Sequence, residues 1–393
     1  MNANENSEGP KLPVIVHIVY ALDYGGLENG LVNLLNRLPL SMARHVIIAL
    51  TTASNFSSRI SNPNVQIFCL HKPIGQTYRI FGQLYRLLKS LKPDIVHTRN
   101  LTTLECQLVA FIARVPARIH SEHGWDVSDP DGSNLKHILI RRFMRWLVHA
   151  QIGLSSQIIQ YLHEKIAVPS SRLIQICNGV DTVRFTKSAD LELDGCNPYF
   201  KTQGNLPWSK DAFVIGSVGR IAEIKNQELL CVAFVRLVNT NPQFALRGKL
   251  AIIGNGPLLE ELRAYMAKYA PSGSFWLPGS RDDIPDFFRN ISLFALPSHA
   301  EGISNSILEA MASGIPTIAG NVGGNGELIV DDINGYLIAP QTVESYCHAI
   351  NRYFTDAPRL RAHGLASRSR ATQLFSIEHM VKQYKQVYES FLK

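Results

Sequence analysis

Short β-branched runs alternate with amphipathic stretches along most of the chain, and this alternation constrains the fold more than any other feature. Runs at 13–20 (PVIVHIVY), 45–50, 65–70, 94–98, 117–121 and 151–155 read as strands. Between them lie stretches such as YRIFGQLYRLLKSL (78–91), whose apolar residues recur at three and four, as on one face of a helix. Strands that are apolar on both faces and separated by helices imply a parallel sheet covered by helices. The rhythm breaks over 186–210, a polar segment carrying Gly and Pro that reads as a connection. It restarts at 212–220 and continues through 249–256, 275–279, 292–297 and 315–320. The expected fold class is α/β, with two Rossmann-like domains facing a cleft, one over 1–186 and one over 187–375. Ligands of such sheets bind beyond the carboxyl ends of the strands, so the residues directly after each strand are the ones to inspect.

Composition removes several classes of function. With 46% hydrophobic and 18% charged residues in 393, the chain is built to bury domains rather than to stay disordered. Its six cysteines are scattered without a CxxC pair, which favours a reducing compartment and argues against structural zinc. The opening MNANENSEGP is too polar for a secretion signal, and no apolar run approaches the ~18 residues that span a bilayer, so a cytoplasmic protein is expected. A net charge of +7 suits phosphorylated substrates, an anionic membrane surface or nucleic acid. No aromatic-basic RNA signature is present, so nucleic acid is not expected as a partner. The stretch HILIRRFMRWLVHA (137–150) mixes Arg141, Arg142 and Arg145 with Ile138, Phe143, Trp146 and Leu147. It reads either as a basic amphipathic surface for peripheral contact with an anionic inner leaflet or as a core-facing helix with a solvated basic face.

The strand ends carry the chemistry. In ALDYGGLENG (21–30), Gly25 and Gly26 either let backbone approach a ligand at a helix start or make an ordinary tight turn. A GxGxxG is absent, which weakens a nicotinamide reading. His123, with Gly124 after the fifth strand, is a candidate polar contact to a ligand or a structural histidine. Asp129-Pro-Asp131 has the DxD spacing of metal-dependent sugar transferases, but a turn-rich loop with no third ligand reads as a solvated turn, and no metal is expected. SVGRIAEIKN (217–226) puts Arg220 and Lys225 where both reach one phosphate, the first as a planar fork and the second as a point charge, unless both are solvated surface cations.

HAEGISNSILEAMASG (299–314) places Glu301 and Glu309 eight positions apart. Ser304 reads as the N-cap of a helix that turns Ile307, Leu308, Met311 and Ala312 inward, with Glu301 at its entrance and Glu309 one to two turns inside. A buried unpaired carboxylate is costly, so each glutamate calls for a partner or a ligand. A diphosphate at the helix start, flanked by sugar and ribose hydroxyls, meets that need; a helix-entry glutamate plus a surface glutamate is the plainer alternative. In IPTIAGNVGGNGE (315–327), Gly323, Gly324 and Gly326 precede Glu327, so backbone is kept bare beside something or the loop is merely tight.

Together these motifs resemble those of family 4 glycosyltransferases, retaining enzymes of the GT-B fold. The resemblance rests on E-G-I-S-N-S-I-L-E-A-M-A-S-G-I-P-T-I-A followed by G-G-N-G-E, supported by GGLE, NGVD-x3-F (178–185) and GR-x4-K (219–225). It implies a hexosyltransferase that needs no cofactor or metal and uses a nucleotide-diphosphate sugar as donor. It implies further that Glu309 holds ribose hydroxyls, that Glu301 binds the donor sugar with backbone amides around Gly302, Ile303 and Ser304, and that Arg220 and Lys225 grip the diphosphate. Gly26 would lie under donor or acceptor, His123 would face the transferred sugar from an acceptor-side N-terminal domain, and Arg281 would lie near the base. The last helix, within 376–393, would pack back on the N-terminal domain. The pattern most resembles sugar transferases of bacterial exopolysaccharide assembly, some of them found alongside exosortase systems, with a glycan or lipid-linked acceptor. Ile303-Ser304 stand where the family often has Phe or Leu followed by Gly or Pro, and Gly326 where proline often precedes the last glutamate. A UDP-sugar 2-epimerase shares the fold and nucleotide site, and a non-enzymatic sugar-binding protein is a third class.

Overall fold

A computed structural model describes residues 12–73, 75, 77–125, 129, 132–186, 206–209 and 211–392. Most of the connection expected over 186–210 therefore lies outside the described residues, as does Asp131. The chain divides into two compact units: unit 1 runs to Cys177 and resumes at Met380, and unit 2 is Asn178–His379. The segment 178–186 lies in unit 2 because Arg289 donates to the carbonyls of Arg184 and Thr186, and Arg368 to those of Thr182 and Phe185.

Unit 1 holds a parallel sheet of β1 (Val14–Val19), β2 (Arg44–Ala49), β3 (Val65–Cys69), β4 (Ile95–Arg99), β5 (Ala117–Glu122), β6 (Ala150–Gly153) and β7 (Leu173–Gln175), in the order β3-β2-β1-β4-β5-β6-β7. Unit 2 holds β8 (Phe213–Val218), β9 (Gly248–Ile253), β10 (Phe275–Gly279), β11 (Leu293–Leu296), β12 (Thr317–Gly320) and β13 (Gly335–Ile338), in the order β10-β9-β8-β11-β12-β13. Both units are thus Rossmann-like, and each sheet reverses its winding beside its first strand, between β1 and β4 and between β8 and β11. β7 and β13 are short edge strands whose brevity left no periodic signal in the sequence.

The central strands are buried on both faces, as their β-branched runs required. One face of the unit 1 sheet packs Val16, Ile18, Val46, Ile48 and Val96 against Leu84 and Leu88 of helix Phe81–Leu91. Lys92, in left-handed conformation with φ 46°, ends that helix. The other face sets polar groups among Ile15, Ile47 and Ile95. His17 and His45 approach at 3.1 Å, Arg99 lies 3.3 Å from His17 Nδ1, and His97 contacts Tyr388 of helix Ile377–Phe391 at 2.9 Å. All five are buried.

Candidate functional site

The switch point of unit 2 gathers most of the residues singled out above. After β8 the chain turns through Gly219 and Arg220 into a short 3-10 turn, Glu223–Lys225, before helix Gln227–Thr240. Two glycines of the next loop fix its position, because a Cβ at Gly254 or Gly256 would overlap the carbonyls of Gly219 and Ile221. The loop after β11 is tied to the same turn by the His299 amide, which donates to the Ile224 carbonyl at 2.9 Å. Across this junction Lys225 Nζ meets Glu301 Oε1 at 2.5 Å, and the buried Ser298 hydroxyl donates to the same oxygen at 2.6 Å.

Glu301 therefore has partners, and Lys225, expected as a phosphate grip, is paired with that carboxylate. Arg220 is exposed and has no side-chain partner among the described residues, while Gln227 donates to its carbonyl at 2.9 Å. Two cations thus stand after β8, one already engaged and one open.

Helix Asn305–Ala312 follows, capped as expected by Ser304, whose Oγ accepts from the Ile307 amide at 3.4 Å. Ile307, Leu308, Met311 and Ala312 are buried. Glu309 lies on the only partly covered face with no hydrogen-bond or ion-pair partner among the described residues. Burial raises its carboxyl to about 7, against the opposing charge of Arg184. Asn178 donates to Asn305 at 3.0 Å, joining the NGVD segment to the start of this helix. Ile303 is buried, and the Gly302 carbonyl accepts from the Gly324 amide at 2.8 Å.

That last contact explains the glycine-rich loop. A Cβ at Gly323 would overlap the Glu301 carbonyl, and one at Gly324 would overlap that of Gly302. Gly323 also has φ +53°, which disfavours a side chain. Of the two readings left open for this loop, tight packing of backbone on backbone accounts for Gly323 and Gly324. Arg281 makes a two-pronged pair with Asp283, at 2.7 and 2.6 Å, and lies over Trp276.

In unit 1, Gly26 begins helix Gly26–Arg37, and the end of the Glu28 side chain lies where a Cβ on Gly25 would stand. His123 follows β5, anchored through its amide to Asn100 at 2.7 Å. Both its ring nitrogens are shielded and without a partner among the described residues, and burial with the nearby Arg99 charge lowers its pKa to about 3, so the imidazole is neutral. Its neighbour Glu122 is buried, yet His120 and Arg141 bring its carboxyl down to about 2. Two expectations are corrected here. Asp129 is not a solvated turn residue: it is buried, accepting from the Asn134 amide at 3.0 Å and meeting His137 at 2.9 Å. Arg141 does not belong to a solvated basic face, because it is buried against Glu122 at 2.7 Å. Among the described residues no group of three His, Cys, Asp or Glu side chains is arranged to hold a metal.

Ser298, Gln341, Arg99 and Arg184 were not anticipated as parts of these sites. A serine three residues before Glu301 was the only local signal; the others come from distant segments.

Comparison with known proteins agrees with this geometry. A family model described as Glycosyltransferase Family 4 matches residues 24–184, and one described as Glycosyl transferases group 1 matches 200–370. The chain is 28% identical over 328 residues to the Escherichia coli UDP-Gal:alpha-D-GlcNAc-diphosphoundecaprenol alpha-1,3-galactosyltransferase, covering 82% of each. It is 26% identical over 368 residues to the lipopolysaccharide core biosynthesis mannosyltransferase LpsB of Rhizobium meliloti, covering 87% of this chain and 97% of that one. Among solved structures, Anabaena Alr3699/HepE in complex with UDP superposes with a TM-score of 0.78 at 18% identity, covering 96% of this chain and 100% of that chain. Sucrose-phosphate synthase from Thermosynechococcus elongatus follows with a TM-score of 0.74 at 19% identity, covering 97% and 99%. With two Rossmann-like units and both halves matched, the chain belongs to the family 4 glycosyltransferases of the GT-B fold and is a nucleotide-sugar hexosyltransferase.

Proposed function

We propose that the protein transfers a hexose from a nucleoside-diphosphate sugar to a lipid-linked or glycan acceptor of a cell-surface polysaccharide, with retention at the anomeric carbon and without a metal. The observation that carries this reading is the Lys225–Glu301 contact at the β8/β11 switch, beside the exposed Arg220. Arg220 and Lys225 take the diphosphate, and Glu301 accepts from the sugar's hydroxyls with the backbone of Gly302, Ile303 and Ser304. Glu309 accepts from the ribose hydroxyls, and Arg281 lies toward the base. On the acceptor-side unit, His123 presents a neutral imidazole to the transferred sugar, and Gly26 keeps backbone low under a ligand. The lipid-diphosphate acceptor of the galactosyltransferase relative and the UDP held by HepE support this choice of substrates.

As the sugar–phosphate bond stretches, negative charge grows on the leaving diphosphate, and cations fixed there lower the barrier. Glu301 has one oxygen committed to Lys225 and Ser298, which favours hydroxyl binding over attack on carbon. Same-face attack, with the diphosphate taking the acceptor's proton, then gives retention. The product's anomeric configuration, read by NMR, tests this: the donor's configuration is expected, and inversion would refute it. Release of free nucleotide without acceptor would favour the epimerase reading instead.

A cytoplasmic location at the inner membrane face is the second part of the proposal. No described helix is long and apolar enough to cross a membrane. Helix Leu135–Met144 and the turn after it nevertheless leave Leu135, Leu139, Phe143 and Trp146 more than 60% exposed, in a row at helical spacing. Arg145 stacks on Trp146, and Arg142 flanks the row. An apolar ridge edged by cations suits an anionic leaflet. Flotation with phosphatidylglycerol vesicles is expected to fail for the Phe143→Ser, Trp146→Ser double variant; binding that ignores both the anionic lipid and these residues would exclude the contact.

A further inference from the structure

We infer that Ser298, backed by Gln341 and Tyr346, is a positioning residue that keeps Glu301 aimed at the donor sugar when Lys225 turns to the diphosphate. The inference rests on the reading of Glu301 as the acceptor of the sugar's hydroxyls.

Ser298 and Lys225 both address Oε1 of Glu301, at 2.6 and 2.5 Å, and Oε2 has no partner among the described residues. The carboxylate is thus gripped on one oxygen and left with the other for a ligand. The two grips differ in kind. Lys225 is a flexible ammonium, about a quarter exposed, and an arriving diphosphate competes for its donors. Ser298 is fully buried on a short side chain, so its hydroxyl is shielded from an arriving diphosphate. Its carbonyl accepts from Gln341 Nε2 at 3.0 Å, and Gln341 Oε1 accepts from the Tyr346 hydroxyl at 3.0 Å. Tyr346 is itself fully buried in the core of unit 2.

Room for this chain is built into the end of β12, where a Cβ at Gly320 would overlap the Gln341 carboxamide. A run of hydrogen bonds therefore leads from the core through Gln341 and Ser298 to the carboxylate, independent of Lys225. When the cation divides its attention, the serine hydroxyl still holds Oε1. A charge-assisted hydrogen bond of this type is worth about a tenfold change in affinity or more.

Calorimetric titration with UDP and UDP-glucose, and with GDP and GDP-mannose as a second pair, gives the test. The pair for which the wild type binds the nucleotide sugar more tightly than the nucleotide is carried into the variants. Ser298→Ala is expected to weaken the nucleotide sugar about tenfold and raise donor KM, with nucleotide affinity within twofold of wild type. Ser298→Thr, which keeps the hydroxyl, should restore the margin, and Gln341→Ala should erode it two- to fourfold while leaving Ser298 in place. A margin that survives in both Ser298→Ala and Gln341→Ala overturns the inference. So does an equal loss of nucleotide and nucleotide sugar, the mark of a merely structural role. If the wild type shows no margin for either pair, UDP-galactose and UDP-N-acetylglucosamine are titrated in the same way, and no margin for any of the four sugars means that the reading of Glu301 itself fails, which is seen before any variant is made.

Discussion

The two switch points hold their polar groups in opposite states. After β8 and β11, Lys225 and Glu301 satisfy each other, Arg220 is open, and Glu309 keeps a carboxyl raised to about 7 with no bonding partner among the described residues. Beside β1 and β4, Arg99 is 2% exposed, bonded to His17 and His97, with no carboxylate at ion-pair distance among the described residues. Burial and that guanidinium hold His17 and His97 well below the ordinary histidine range and His45 at about 4, so all three are neutral. The unit 1 layer is closed under Tyr384 and Tyr388 of the last helix and bonded mostly within itself, with His45 Nε2 buried and without a partner among the described residues. The unit 2 cluster is reachable and keeps unused bonding capacity. Burial of polar groups alone does not mark a ligand site; accessible, unspent donors and acceptors do.

Acid separates the two units most. The three histidines have native pKa values below 6.5, so their contribution is full above pH 6.5 and is lost as pH falls toward the native values. Each changes stability by about 1.4 kcal/mol per pH unit in that window, or about 4 kcal/mol for three. Hydrogen exchange at pH 7 and 5.5 is expected to show protection falling in β1, β2 and β4 while β8 and β11 hold. Equal losses in both sheets would erase the distinction.

Glu309 responds with the opposite sign. Its native pKa is raised, so its contribution is full below pH 4.5 and is lost as pH rises toward 7. Glu309→Gln is therefore expected to stabilise the protein by about 3 kcal/mol at pH 8 and by little at pH 4.5. Thermal melts at the two values check it. Donor affinity of the wild type should in turn fall below pH 7, and that dependence should vanish in the variant.

The smallest effect concerns Asp129. Replacing it by Ala is expected to cost about 1–2 kcal/mol through its lost bonds to Asn134 and His137, with turnover kept and insensitive to chelator. Turnover abolished both by chelation and by Asp129→Ala would restore the DxD reading.

The strand–helix rhythm made both sheets legible, because β-branched runs buried on two faces look alike wherever they occur. The placement of Glu301 and Glu309 around a helix capped by Ser304, and of Arg220 and Lys225 in the turn after β8, was legible because each group lies in one loop-and-helix segment, where spacing along the chain is spacing in space. Three things were not. The Lys225–Glu301 pairing joins residues 76 apart, and Gln341 reaches Ser298 from 43 residues away. The polar layer of unit 1 hid inside strands that read as apolar, since a single His17, His97 or His45 per strand leaves the β-branched pattern intact. Asp129 looked solvated because its turn-rich setting gave no hint that helix Leu135–Met144 would start against it.

Steady-state kinetics of Arg220→Ala beside Glu309→Ala test the central claim most directly. Arg220 suits this better than Lys225, because its removal orphans no carboxylate. The account predicts that Arg220→Ala lowers kcat by two to three orders of magnitude, about 3–4 kcal/mol, with donor KM changed only severalfold. It predicts that Glu309→Ala raises donor KM and leaves kcat at saturating donor nearly intact. A Glu309 variant that loses kcat at saturation, beside an Arg220 variant that changes only KM, would contradict the assignment of leaving-group charge to the cations after β8.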